Sequence, residues 1–113
     1  MAKSVVSSLK YNGDGKELIT VINETCMRMG LTIKSGVNIN KGYIIEASER
    51  LRILSTNWPI SFKIEIEVMG KDIWAVIITA SCFLTSITQE TNMQNKANEI
   101  VQLIKTLGSG TIT

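Results

Sequence analysis

The chain has 113 residues, enough for one hydrophobic core without disulfide or metal staples, and its 44% apolar and 19% charged content describes a globular domain rather than a disordered one. Twelve basic and ten acidic residues are spread along it for a net charge of +2, so no strongly basic surface awaits a polyanion. The absence of histidine removes Ser–His and Cys–His nucleophilic arrangements and every imidazole metal site.

Residues 3–11 (KSVVSSLKY) alternate weakly and suit a first strand. "YNGDGKE" breaks it. The Asp14 carboxylate can accept from free amides of a first helical turn, and Glu17 completes a capping box, so a helix should begin near Gly15. Leu18, Ile22, Cys26 and Met29 recur on one face of that helix, with Glu24 and Arg28 as an i,i+4 pair elsewhere. Gly30 fits the left-handed position that ends it.

From there to Phe83 the period switches to two. "LTIKSGVNI" and "GYIIEASERL" read as strands joined by a turn around Asn40, followed by a looser connection through Arg52 to Trp58. Pro59, the chain's single proline, should open a strand rather than interrupt one. In "STNWPISFKIEIEVMG" the apolar Ile60, Phe62, Ile64, Ile66 and Val68 alternate with Ser61, Lys63, Glu65 and Glu67, so one side seeks burial and the other water. "MGKD" reads as a hairpin turn and "IWAVIITASCF" as the return strand. An odd-length loop there would add Trp74, Val76, Ile78, Ala80 and Cys82 to the buried stripe, whereas an even one would bury Ile73, Ala75, Ile77 and Thr79.

The last element is a helix with Met93, Ala97, Ile100, Val101, Ile104 and Leu107 on one face. Thr91 and Gln94 offer a capping box at its start, and Gly108 stands where a terminating glycine belongs. The expectation is a single α+β domain over residues 1–113, its core about 3–108 and residues 109–113 a frayed tail. Its order is β-α-β-β-β-β-α: a two-layer sandwich with a five-stranded antiparallel sheet and two helices on one face.

That order resembles the TATA-binding-protein-like fold, a group that also holds lipid-cavity relatives such as the Bet v-type proteins. More narrowly, "MGLTIKSGVNINKGYIIEAS", "WPISFKIEIEV" and "QETNMQNKANEIVQLIKTL" are similar to a family of small uncharacterised prokaryotic domains, over about residues 14 to 107. Gly42, Ile44, Ile45, Ala47, Asn95 and Asn98 carry the likeness, and "STNWP" departs from the shorter glycine-containing turn of that pattern. The resemblance implies a fold and no activity.

Little catalytic chemistry is on offer. "YNGDGKE" lacks the spacing of a phosphate loop and reads as a turn with a helix cap. Glu65, Glu67 and Glu46 could sit together on a strand face as an acid–base set, but with Lys63 and Arg50 they read as a solvated ladder of ion pairs. The same carboxylates stand where phosphates would lie, which argues against nucleic acid. Cys26 and Cys82 read as buried free thiols. Residues 73–89 are the longest uncharged run, yet their Ser, Thr and β-branched content makes a poor membrane span, and no apolar run of signal-peptide length opens the chain. A cytoplasmic protein without membrane insertion is expected. No catalytic, metal or cofactor-binding residue is assigned.

Either register of the return strand leaves apolar residues on the outer sheet face. Trp58, Trp74, Ile77 and Phe83 are therefore candidates for an interaction surface toward a second copy or another protein. The leading expectation is a non-catalytic protein-interaction or ligand-binding module. A carrier of a small hydrophobic ligand between sheet and helices, or a small carboxylate-dependent enzyme, are the alternatives.

Overall fold

The computed structural model describes residues 3–50, 59–82, 87–108 and 111–112. Its elements are β1 (Lys3–Asn12), α1 (Gly15–Arg28), β2 (Thr32–Ile39), β3 (Gly42–Ser48), β4 (Ser61–Gly70), β5 (Ile73–Cys82), α2 (Ile87–Leu107) and a two-residue β6 (Thr111–Ile112). The sheet is antiparallel in the order β2-β3-β4-β5-β1-β6. Its five long strands and two helices form the α+β sandwich read from the sequence. The short β6 lies in the stretch expected to fray and pairs with Tyr11 and Asn12.

α1 starts and stops where its sequence dictates. The Asp14 carboxylate accepts from the Lys16 amide, 3.2 Å. At the other end Gly30 takes φ +71°, the Gly30 amide donates to the Met27 carbonyl and the Leu31 amide to that of Cys26, so the last turn closes as a Schellman motif. α2 begins earlier than the capping residues suggested. Thr91 and Gln94 lie inside it, because residues 87–90 contain good helix formers and no breaker, and the Gln94 amide instead donates to Ser7.

The inner sheet face is built of cross-strand rows: Tyr43, Ile66, Val76 and Leu9 in one, Ile45, Ile64, Ile78 and Ser7 in the next, Ala47, Phe62, Ala80 and Val5 in the third. Leu18, Val21, Ile22 and Cys26 of α1, and Met93, Ala97, Ile100 and Ile104 of α2, close over them in a single cluster. Both helices thus cover the same face. Ser7, a polar residue inside the second row, is matched by side-chain amides of α2: its hydroxyl donates to Asn98 Oδ1, 3.1 Å.

The return strand takes the register that buries Val76, Ile78, Ala80 and Cys82. A bulge decides it: β4 pairs Val68 with Trp74 and Gly70 with Ile73, which leaves Met69 unpaired and makes the loop odd. Val68, expected in the buried stripe, is 42% exposed because the strand there has run past the helices. Among the described residues, the outer-face positions of β5 are Ile73, Ala75, Ile77, Thr79 and Ser81. Ile73, Ala75 and Ile77 are half-buried there, and across the strands Ile77 is flanked by Glu65 and Ser8. Lys63 leans toward Glu65 at 3.8 Å on this solvent-facing side, an exposed pair of small energetic weight.

Cys26 is fully buried and Cys82 nearly so, both as free thiols. Burial pushes the Cys26 thiol from 9.0 up to about 11. The fold therefore favours the neutral thiol: that contribution to stability is whole below pH 9.0 and is lost as pH rises toward about 11. In a Cys82→Ser variant at pH 8, Cys26 should react with an aromatic disulfide reagent only as fast as the protein opens, and subdenaturing urea should accelerate the reaction.

Candidate ligand-binding site

At the end of the sheet that carries the β2–β3 and β4–β5 turns, a cleft of about 290 Å³ opens on the helix side. Five separated stretches build it. Gly15, Lys16 and Ile19 come from the first turns of α1, Asn38 from β2, Gly42 and Tyr43 from β3, Ile66 from β4, and Trp74 from β5, with Asp14 and Asp72 at the mouth.

Trp74 is locked in place by the turn that precedes α1. Its indole N–H donates to the Gly13 carbonyl, 3.1 Å, while the Gly13 amide donates to the Asp72 carbonyl, 2.8 Å. The ring lies on the first helical residue so closely that a β-carbon on Gly15 would stand 2.5 Å from Cζ2. A glycine that reads in the sequence as mere turn material is therefore what lets the indole reach the cleft. Asp72 holds φ 56°, a left-handed conformation that aspartate tolerates, and so turns the hairpin back under the helix.

Tyr43 lines the same cleft from β3, on the other side of β4 from Trp74. Its ring lies over Gly36 of β2, and its hydroxyl stands where a side chain at 36 would be. The β2–β3 turn is fastened to the β4–β5 hairpin by the Val68 amide, which donates to the Lys41 carbonyl at 2.7 Å. The walls are thus two half-buried aromatic rings, with Ile19 and the buried Ile66, and the polar groups gather at the rim. An apolar interior with a few polar groups at its edge is the usual make-up of a small-molecule site, and this one lies near the lower end of the usual size range.

Of the four residues proposed as an interaction surface, Trp74 stands on the helix-facing side and Ile77 on the outer side, so these two do not share a face. Trp58 and Phe83 lie outside the described residues, as does the connection from Arg52 to Trp58. Glu46, Glu65 and Glu67 point to the open outer face, away from the cleft. Among the described residues no three acidic or thiol side chains converge as a cation site, and no helix is long and apolar enough to cross a membrane.

This fold has solved counterparts. Norcoclaurine synthase from Thalictrum flavum, a point mutant in complex with a transition-state analogue, aligns over 96% of this chain and 98% of its own at 12% identity, with a TM-score of 0.57. The fold is of the Bet v1/START-like α+β kind. Ara h 8.0201 is similar over 93% of this chain and 96% of its own, at 10% identity and a TM-score of 0.50. Of the two groups joined in the sequence resemblance, it is thus the Bet v side, rather than the TATA-binding proteins, that the structural neighbours support. No family model matches the chain, and no curated protein sequence does.

Proposed function

We propose that the protein is a binding module for a small hydrophobic ligand, of about one or two rings, held in the cleft between α1 and the inner face of the sheet. The observation that carries this reading is a cleft of about 290 Å³ whose lining combines Trp74 and Tyr43 with Ile19 and Ile66. Rings pack well on aromatic walls. The carboxylates and the lysine stand at the mouth, where they orient a polar substituent rather than meet a reacting bond. The fold offers a precedent of a general kind, since the similar norcoclaurine synthase structure holds a transition-state analogue.

The reading is tested with 7-amino-4-methylcoumarin, a neutral two-ring fluorophore, on a Trp58→Phe background that leaves Trp74 as the single tryptophan. The expected result is saturable one-to-one binding with energy transfer from Trp74. Asn38→Phe, which fills the cleft from an exposed position of β2, should weaken binding about tenfold or more without lowering Tm. Equal binding by that variant, or uptake that never saturates, would overturn the assignment.

A further inference from the structure

β1 is only partly covered on the side away from β5. β6 meets Tyr11 and Asn12, and among the described residues no strand lies along residues 4–10. Among the described residues no backbone group pairs with the N–H and C=O that every second residue there turns outward, which is a template for another strand. Beside this edge runs a groove of about 450 Å³ between β1 and the first half of α2, lined by Val5, Glu90, Thr91, Gln94 and Asn95. Its floor is fixed by a closed set of hydrogen bonds: Gln94 Nε2 donates to Ser7 Oγ and to Asn98 Oδ1, both at 3.1 Å, and the Ser7 hydroxyl donates to Asn98 Oδ1.

We infer that this edge and groove bind an extended peptide segment, added antiparallel to β1 in line with β6. Three observations select that occupant. β6 already pairs antiparallel with the edge, so the backbone geometry for a strand exists, and continuing its register brings the next residues opposite Lys10, Leu9 and onward to Ser4. The groove is lined mainly by uncharged groups, and its carboxamides both donate and accept, as a peptide backbone and small side chains require; an anion would meet Glu90 instead. The opposite sheet edge, β2, is guarded by a bulge at Lys34, whereas β1 pairs with β5 without a break and exposes 59% of Val6 beside its open edge. Alternate side chains of the guest would drop beside Val5 and Asn95, and the others would lie along Val6 and Ser8. This site is separate from the cleft under α1.

The test appends Val-Thr-Val-Ser-Val-Thr-Ser after Thr113 of the full chain, so that the added segment meets the edge at high effective concentration. Amide hydrogens of residues 4–10 that point away from β5 should exchange about tenfold more slowly than in a chain carrying a Gly-Ser extension of equal length. Equal exchange in the two chains overturns the inference. Asn95→Arg, which projects a long cation into the groove from an exposed helix position, should abolish the protection. Gln102→Arg, about 10 Å further along the same helix, should leave it intact. Protection that survives Asn95→Arg would show that the groove takes no part, and would equally defeat the proposal.

Discussion

Gly42→Ala should destabilise the protein by about 3 kcal/mol or more, and this single methyl group should be harder to accommodate than most core truncations. Gly42 opens β3 directly opposite Glu67. A β-carbon there would overlap the Ile66 carbonyl oxygen and lie 2.8 Å from its carbon and 3.1 Å from the Glu67 Cα. All three are backbone atoms of the next strand, so no side chain can swing aside. Relief requires β3 and β4 to part at the turn, which also pulls on the Val68 amide bonded to Lys41 and on the Tyr43 wall of the cleft. The other glycines calibrate the claim. At Gly36 the obstacle is the far end of the Tyr43 side chain, which can move. At Gly30 nothing lies within 4 Å, but φ is +71°, so Gly30→Ala should cost only about 1 kcal/mol of backbone strain. Urea denaturation of the three alanine variants should rank Gly42 first by a wide margin; a Gly42→Ala loss no larger than that of Gly30→Ala would contradict the close strand contact.

Much of this architecture is written in local patterns. The alternation of Phe62, Ile64 and Ile66 with Lys63 and Glu65 fixes which side of β4 is buried, and the spacing of Met93, Ala97, Ile100 and Ile104 fixes the buried side of α2. These signals survive because burial acts on each residue independently. Register does not work that way. Whether Trp74 or Ile73 faces the helices depends on the unpaired Met69, and a bulge leaves no mark in a run such as "EVMGKD" that a tight turn would not leave as well. The cleft was illegible for a related reason. Ile19, Tyr43, Ile66 and Trp74 are brought together by α1 crossing from β1 to the far edge of the sheet, a matter of long-range topology. Two hints were nevertheless present. Tyr43 shares the parity of Ile45 and Ala47 and so had to face inward, and a glycine at the start of a helix, where a better helix former would do, points to a large neighbour.

Phe62→Ala should remove about 3–5 kcal/mol of stability, toward the upper end of that range. The reason lies in what flanks the ring. Phe62 is 1% exposed and pairs across the sheet with Ala47 on one side and Ala80 on the other, so it fills the width left by two of the smallest side chains. Truncating it would place three methyl groups in a row beneath the helices. A strand can close such a void only by bending toward them, and β4 is held by continuous pairing on both sides at this point, so little collapse is available to soften the loss. Phe62→Leu keeps most of the volume and should lose far less, about 1–1.5 kcal/mol. Ala80→Leu in the Phe62→Ala background should recover part of the deficit although Ala80→Leu alone overpacks the core, a coupling expected only of residues sharing one space. Lys63, the adjacent residue, provides the control: it points outward, is exposed, and approaches Glu65 only at 3.8 Å, so Lys63→Ala should shift stability by no more than about 0.5 kcal/mol. Denaturation midpoints at unchanged m-value measure the whole series. Because neighbouring positions of a strand differ only in which way they face, comparable losses at 62 and 63 would mean that β4 presents the wrong side to the helices, and with it the rows that place Tyr43, Ile66 and Trp74 around the cleft.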